Sequence, residues 1–264
     1  MKALTFSIKF YTAQFKDHAQ KMTRKTYLIP LPSTVAGIFG AILGISRDEL
    51  ARISENILAG AEMKSLGGRI VTFSRIFKID RSYKDLLNLL HLYYSGVKIY
   101  KEINILKDIQ SLLPIKESEE LYLPEYKFAV ASTDERLIEE GYKRIENLEF
   151  EYEIFGGNDY HLVEYIGKPK YARLEKSYEG YGYCPREDFN KIESNSFSIV
   201  KDIELITKKE LPVILPVQVL ANVNKEFLQV YGAKIISKRE LYVVNDEESK
   251  IFVYNVKPFL IKGN

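Results

Sequence analysis

Basic and amide side chains precede a glycine-rich segment near the N-terminus of the chain. They are Lys16, His18, Gln20, Lys21, Arg24 and Lys25. The segment after them, residues 34–44, has the apolar content of a helix and ends in glycine, a common helix terminator. Because the free N–H groups and the dipole of a helix N-terminus favour an anion, cations next to Ser33 and Thr34 indicate a site for phosphate.

Small residues recur at helical spacing within this predicted helix, namely Gly37, Gly40, Ala41 and Gly44. A glycine inside a helix costs roughly 1 kcal/mol relative to alanine. Close approach of a neighbour to the small-residue face would offset that cost. The neighbour is either the sheet beneath the helix or a phosphate backbone, and the residues leave both open.

A second glycine pair, Gly156-Gly157, is followed by Asn158 within the segment FGGNDYH at residues 155–161. Paired glycines permit positive φ angles and expose backbone N–H groups, which can bind an anion. A tight turn between two elements is the alternative explanation.

Several kinds of catalytic or metal site are absent from the sequence. It has no GxxxxGK(S/T) phosphate loop, no HExxH, no CxxC and no GxSxG motif. Three well-separated histidines and one cysteine make a structural zinc site untenable, so we expect no metal and no cofactor. Tyrosines between residues 165 and 183 are candidates for base stacking, or else ordinary residues of a sheet surface.

The elements that must position these residues begin with a strand at residues 2–10, in which apolar and polar residues alternate. Two prolines interrupt the chain before the helix at 34–43, and Ser33 is its predicted N-cap. Residues 46–49 resemble a capping box and predict a second helix ending near Gly60. Strands are predicted at 69–79, 126–131 and 148–155, with a helix from Thr133 to about Asn147 between the last two.

This order predicts an α+β protein with a ferredoxin-like (RRM-like) βαββαβ domain at residues 1–167, interrupted by an insertion at 80–125. From residue 168 to 264 the texture changes to short β-rich runs separated by turn residues, at 210–219, 228–236, 240–244 and 251–256. We therefore expect a second, β-rich C-terminal domain.

Charge is unevenly distributed although the net charge is only +2. Lys and Arg exceed Asp and Glu by eight in residues 1–110 and by three in residues 168–264, and they fall short by nine in residues 111–167. This asymmetry indicates a basic face in the N-terminal part, with ordinary surface variation as the alternative.

The sequence also predicts a cytoplasmic protein with no membrane contact. One cysteine, Cys184, cannot form an internal disulfide, which favours a reducing compartment. The N-terminus lacks the pattern of a secretion signal. The longest nearly apolar run, residues 35–45, is shorter than the roughly 18 residues that a membrane span needs.

Residues 26–44, TYLIPLPSTVAGIFGAILG, combine an aromatic residue, a proline-rich turn, Ser-Thr and a glycine-rich helix. With the first strand and the Gly156-Gly157 loop, this segment resembles the Cas-five family of CRISPR-associated proteins, in the repeat-associated mysterious protein (RAMP) superfamily. The tryptophan-free, Ile- and Lys-rich composition is similar to archaeal type I members. The resemblance covers residues 1–167 clearly.

The resemblance implies a subunit of the Cascade surveillance complex in antiviral defence. Such a subunit holds the 5′ handle of the guide RNA (crRNA), caps the filament of backbone subunits, lies beside the large subunit and meets target DNA only indirectly. The insertion at 80–125 would correspond to the family's thumb. The implied RNA-binding residues are Lys16, His18, Gln20, Lys21, Arg24, Lys25, Tyr27, Ser33, Thr34, Gly156, Gly157 and Asn158.

Three hypotheses follow. The first is a non-catalytic RNA-binding subunit. The second is a metal-independent endoribonuclease that processes CRISPR repeat RNA, as some family members do, for which His18, Tyr27 and Lys25 could supply the base, the acid and the cation, in that order. The third is an assembly protein that contacts only other proteins. Salt dependence of RNA binding separates the first from the third.

Overall fold

The computed structural model describes residues 1–16, 24–75, 95, 115–158, 160–193, 214–218 and 226–260. Within them the chain is a mixed α+β structure dominated by β-sheet, in agreement with the predicted class. None of the helices in this part of the chain has the length and apolar composition that a membrane crossing requires.

The described helices are α1 (Pro32–Leu43), α2 (Arg47–Ile53) and α3 (Glu135–Asn147), with 3₁₀ turns at Ser54–Asn56 and Lys257–Phe259. The first strands are β1 (Lys2–Phe10), β2 (Thr12–Ala13), β3 (Phe15–Lys16), β4 (Thr26–Tyr27), β5 (Ile57–Ser65), β6 (Gly68–Arg75), β7 (Ile115–Tyr122) and β8 (Glu125–Ser132). The later strands are β9 (Val163–Ile166), β10 (Lys170–Pro185), β11 (Phe189–Glu193), β12 (Ile214–Gln218), β13 (Glu226–Asn245), β14 (Lys250–Phe252) and β15 (Tyr254–Asn255).

One large sheet has the strand order β11-β13-β14-β10-β1-β8-β5-β15, with β12 on β13 and β9 on β1. The predicted apolar face of β1 is confirmed, because Leu4, Phe6, Ile8 and Phe10 are at most 1% exposed. The opposite face is covered in its first half, where Thr5 is also 1% exposed, so the strand has more than one buried side. Helices α1 and α3 pack against each other and against the strands of this face. The ring of Phe6 lies 6.5 Å from that of Phe39 in α1 and 5.5 Å from that of Phe128 in β8.

The helix after the prolines is confirmed, with a different cap. Leu31 is the N-cap, Pro32 takes the first turn, and no side chain caps the helix, so the predicted role of Ser33 is wrong. Proline suits this position since the N–H it lacks would have no partner in the helix. Gly44 ends the helix with φ 75°, as predicted.

The second helix begins as predicted and ends early. The hydroxyl of Ser46 accepts a hydrogen bond from the N–H of Glu49 (3.3 Å), which is the bond that an N-cap residue makes. Helix α2 ends at Ile53, and Gly60 lies inside β5, a strand that the sequence pattern did not predict. Packing requires glycine there, because a Cβ would lie 2.0 Å from the carbonyl oxygen of Phe252.

The predicted strand at residues 148–155 is wrong. Leu148 closes α3 in the left-handed region (φ 57°), and the next residues cross the end of α1. The N–H groups of Glu151 and Tyr152 donate to the carbonyl oxygens of Ile42 and Ala41, at 3.4 and 3.1 Å. Their backbone therefore completes the C-terminus of a helix, and β9 and β10 occupy the place beside β1.

A small sheet of order β2-β7-β6 lies apart from the large one. It contains the described part of the strand predicted at 69–79. Residues 80–114 of the predicted insertion, except Ser95, lie outside the described residues. The described end of the insertion is strand β7, which pairs with β6 from Gly68↔Tyr122 to Arg75↔Ile115.

The C-terminal β-rich runs are confirmed as strands where the structure describes them, although 228–236 and 240–244 form the single strand β13. Strand β10 was not predicted, since its tyrosines, glycines and charges obscure any apolar alternation. The predicted domain boundary falls between β9 and β10. The large sheet continues across it, because β10 pairs with β1 and β15 pairs with β5. The division into two domains stays a prediction.

Candidate nucleic-acid interface

A short hairpin-like pair, β3 and β4, carries the first group of candidate residues. Phe15 pairs with Tyr27, and Lys16 pairs with Thr26. Phe15 is anchored edge-on against Tyr126, with ring centroids 5.5 Å apart, and lies 6.4 Å from Phe10. This buried aromatic cluster fixes the strand from which Lys16 reaches solvent.

The glycine loop, residues 155–162, packs against β2 and the residue that follows it. The carbonyl oxygen of Gly156 accepts from the N–H of Gln14 (2.7 Å), and its own N–H donates to the carbonyl oxygen of His161 (2.8 Å). Gly157 has φ 124°, and a Cβ there would lie 2.1 Å from the carbonyl oxygen of Gln14. Both glycines are therefore required, the first by its tight surroundings and the second also by its backbone angle.

Gln14 joins this loop to the segment that carries Arg24. Its side-chain Nε2 donates to the hydroxyl of Ser118 (2.7 Å) and to the carbonyl oxygen of Glu119 (2.9 Å), and it lies 3.4 Å from the carbonyl oxygen of Arg24. Its Oε1 accepts from Asn158 Nδ2 at 3.4 Å. One side chain, 5% exposed, thus contacts three segments that are distant in sequence.

The imidazole of His161 supports the loop from inside. The side chain is fully buried, and its Nδ1 lies 2.7 Å from Thr12 Oγ1. Within the described part of the chain, its Nε2 has no hydrogen-bond partner. Burial lowers the pKa of His161 to about 4. A buried ring without a counter-charge is neutral at physiological pH, so it acts as a support and not as a cation.

The proline-rich turn before α1 reaches the same end of the sheet. The hydroxyl of Tyr126 donates to the carbonyl oxygen of Leu28 (2.8 Å), and its ring lies 6.4 Å from that of Phe10. Phe10 pairs with Val163, directly after the glycine loop. The glycine loop, the β3–β4 pair and Leu28 of the turn therefore lie near the end of β1.

Three of the predicted cations, Lys16, Arg24 and Lys25, lie within the described residues. They are close together because Lys16 pairs with Thr26, which follows Arg24 and Lys25 in the chain. Lys16 and Lys25 are exposed and Arg24 is half-buried. The backbone of Arg24 is held against β7, since its N–H donates to Glu117 and its carbonyl oxygen accepts from Glu119, both at 2.9 Å. Among the described residues, none forms an ion pair with these three cations. His18, Gln20 and Lys21 lie outside the described residues.

Comparison with known proteins then decides the family. The model of the family described as CRISPR-associated protein (Cas_Cas5) matches residues 3–235, most of the chain. The chain belongs to this family. The resemblance inferred from residues 26–44 is thereby confirmed. No curated protein matches the sequence significantly.

Solved structures similar to this Cas-five protein include a CRISPR protein from Archaeoglobus fulgidus, 11% identical, with 97% of this chain and 100% of that chain covered and a TM-score of 0.47. A chain of a CRISPR RNA-guided surveillance complex is 11% identical, with coverages of 94% and 92% and a TM-score of 0.42. A Cas protein crystal structure is 12% identical, with a TM-score of 0.36, and the match spans 63% of this chain and only 62% of that one, less than two thirds of its length.

Some candidate residues of this Cas-five chain do not contact solvent in the way that the sequence suggested. Tyr27 is 6% exposed and belongs to the main hydrophobic core, so its ring is not free to stack on a base. Gly156 is buried and its N–H is already bonded within the loop. Gly157 and Asn158 are exposed, and within the described residues nothing accepts from their N–H groups.

The sheet does not lie close against the small-residue face of α1 at Gly37 or Gly40, as far as the described residues show. A Cβ on Gly37 would meet no described atom within 4 Å, and one on Gly40 would meet Ile45 and Leu50 at an ordinary 3.6 Å. Ser33 and Thr34 are half-buried in the first turn, where the N–H of Thr34 donates to Leu31 (2.9 Å).

The tyrosine candidates are scattered. Tyr165, Tyr171 and Tyr178 are each more than half exposed, whereas Tyr183 is buried. Tyr171 already stacks on Tyr142 of α3, with ring centroids 4.2 Å apart. Tyr165 and Tyr178 lie on the sheet surface, and their base stacking stays a prediction.

Sequence reasoning missed the residues that build the site from within, Thr12, Gln14 and His161. Thr12 and Gln14 look like ordinary polar residues of a loop. His161 had one usable signal, its position next to the glycine pair, although nothing in the sequence shows that its ring is buried.

Proposed function

We propose that the protein is a non-catalytic RNA-binding subunit of a CRISPR effector complex of the Cascade type, in which it holds the 5′ handle of the guide RNA. One observation carries the proposal: cations without ion-pair partners among the described residues, Lys16, Arg24 and Lys25, lie beside a glycine loop in which Gly157 and Asn158 are exposed and their N–H groups have no acceptor within the described part of the chain. Cations and backbone N–H groups are the usual partners of phosphate in nucleic-acid complexes.

The two kinds of contact have different roles. Lys16 and Lys25 supply mobile positive charge, whose binding to RNA releases counterions and weakens with salt. The loop holds the N–H groups of Gly157 and Asn158 in place, so these groups favour one path of the RNA strand. Family membership supports a CRISPR function. The buried side chains of Gln14 and His161 hold the loop from within, which favours a surface of one fixed shape.

In the same proposal, the protein caps the filament of backbone subunits and lies beside the large subunit, with target DNA contacted only indirectly. The insertion at 80–125, whose described end is β7, would contact the neighbouring backbone subunit as a thumb. The described end of the insertion, β7, supports this role because the backbone of Arg24 is bonded to it. The candidate RNA surface and the candidate contact with the backbone subunit therefore share this strand. The complex would work in the cytoplasm.

We also infer that the centre of the fold is ferredoxin-like. The strand order β10-β1-β8-β5, with antiparallel neighbours and with α1 and α3 together on one face, supports this inference. In this arrangement β9 and β10 take the fourth position that was predicted for residues 148–155.

The proposal includes no catalysis. Of the three residues in the nuclease hypothesis, Tyr27 is buried in the core, which removes this candidate acid from the reach of a leaving oxygen of the RNA. The test is purified protein with repeat RNA in EDTA, from which we expect intact RNA. Specific cleavage that disappears in His18→Ala, with the fold retained, would establish the nuclease instead.

RNA binding is tested with Arg24→Ala combined with Lys25→Ala. We expect weaker binding of handle RNA, with the slope of log K against log salt reduced by up to about 0.7 for each lost contact. The matched control is Arg47→Ala with Arg52→Ala on α2, which removes the same charge beyond the far end of α1, a helix about 18 Å long. Equal losses in the two variants would place the RNA elsewhere.

A further inference from the structure

Gln14 is the point at which the glycine loop, the Arg24 segment and strand β7 meet. Two backbone carbonyl oxygens, those of Glu119 and Arg24, face its Nε2, which fixes the amide orientation since carbonyls only accept. The opposite atom, Oε1, then faces the amide of Asn158. The side chain is almost fully buried, so water does not replace these bonds readily.

The backbone of Gln14 holds the loop as closely as its side chain does. Its N–H donates to Gly156, and its carbonyl oxygen fills the space that a Cβ on Gly157 would need. A displacement of Gln14 therefore moves Gly157 and Asn158 relative to Arg24. No contact of Gln14 in this group involves a charged side chain, so hydrogen bonds and close packing hold the loop.

We propose that Gln14 is a positioning residue that sets the distance between the glycine loop and the Arg24 segment and thereby determines selectivity for the 5′ end of the guide over other single-stranded RNA. The proposal rests on the proposed function. Non-specific RNA needs only the cations, whereas a defined strand path also needs the fixed N–H groups of the loop.

The main variant is Gln14→Met, which keeps the length and volume of the side chain and removes its hydrogen bonds. For handle RNA we expect about a tenfold rise in Kd, and for a homopolymer of equal length less than a twofold change. The salt slope should stay unchanged, because no cation is lost. A purely structural role would instead lower Tm while the folded fraction binds both RNAs as wild type does, and that result would overturn the proposal.

Two further variants separate positioning from destabilisation. Ser118→Ala removes one bond of Gln14 at the β7 side and should raise Kd for handle RNA about threefold, a measurable effect even where Gln14→Met does not fold. Gly141→Ala, in the contact of α3 with α1, serves as a destabilised control whose Kd should not change. A loss of handle affinity in this control equal to that in Gln14→Met would also contradict the proposal.

Amide hydrogen exchange makes the test independent of RNA. In Gln14→Met we expect the N–H of His161, which is bonded to Asn158 within the loop, to exchange at least tenfold faster, while amides of α3 keep their wild-type rates. Unchanged exchange in the loop would overturn the positioning role. If wild-type protein binds handle RNA no better than homopolymer, the proposed function fails, and the exchange experiment still decides whether Gln14 holds the loop.

Discussion

At the scale of single residues, His161 combines complete burial with an unpartnered ring nitrogen. Among the described residues, Nε2 has no hydrogen-bond partner, and the one partner of the ring is Thr12, at Nδ1. A buried polar atom without a partner is unfavourable, and it becomes more so when the ring gains a proton. The glycine loop therefore depends on a neutral histidine.

The first prediction concerns the pH dependence of stability. The folded pKa of His161, about 4, lies below its ordinary value near 6.5, so the unfolded state binds the proton more tightly. The contribution to stability is complete above pH 6.5 and is lost as the pH falls towards 4. It amounts to at most about 3 kcal/mol. Urea unfolding at several pH values measures it.

The variant His161→Asn isolates this contribution, because asparagine can bond to Thr12 and does not titrate. It should be less stable than wild type at pH 7, and the difference between the two should shrink towards pH 4.5. A difference that is constant over this range would show that the ring is accessible to protons in the folded protein.

At the scale of elements, α1 and α3 meet through glycine. A Cβ on Gly141 of α3 would lie 2.3 Å from Cε2 of Phe39, whose ring is 1% exposed in the core. A Cβ on Gly37 of α1 would meet no described atom within 4 Å. The glycine that permits close approach is therefore in α3, whereas the sequence suggested the glycines of α1.

The second prediction is a matched pair of glycine substitutions in two helices. Gly141→Ala should lower the free energy of unfolding by about 1–3 kcal/mol, since the clash with a packed ring outweighs the gain in helix propensity. Gly37→Ala should raise it by about 0.5–1 kcal/mol, because nothing opposes that gain. Chemical denaturation of both variants measures the two shifts, and shifts of the same sign would contradict this packing.

At the scale of the whole molecule, a buried ion pair attaches the C-terminal part to the sheet. Lys127 of β8 lies 2.6 Å from Asp246, and the hydroxyl of Thr5 in β1 donates to the same carboxylate oxygen at 2.6 Å. Burial opposes ionisation of Asp246, yet the hydrogen bonds from Lys127 and Thr5 outweigh it and lower its pKa. The side chains of Lys127 and Asp246 are 6% and 0% exposed.

The third prediction follows from the burial of this pair. Asp246→Ala leaves the ammonium group of Lys127 with one partner, the exposed Glu248, and should lower the free energy of unfolding by about 3–5 kcal/mol. Glu248→Ala removes an exposed carboxylate and should change it by about 1 kcal/mol or less. Thermal or urea unfolding tests both, and similar losses in the two variants would show that the pair at Asp246 is solvated.

The sequence by itself determined the features that depend on neighbours along the chain. The alternation of β1, the stop of α1 at Gly44, the capping box of α2 and the extent of α3 follow from side-chain period and local backbone bonding. The proline-rich turn with its Ser-Thr and glycines indicated the family, together with the first strand and the Gly156-Gly157 loop. The cations near residue 24 and the Gly157-Asn158 pair were likewise found from residue type and position.

The tertiary structure alone decided which strand lies beside β1, why residues 148–155 close α1, and that Tyr27 is buried. It also decided that Gln14, Ser118 and Asn158 meet, although they lie more than 100 and 140 residues apart along the chain. Local patterns fix the period of a segment but not its partner, because partners are chosen by pairing and burial across the whole chain. For that reason the cations could be predicted from the sequence, and the hydrogen bonds that hold the loop beside them could not.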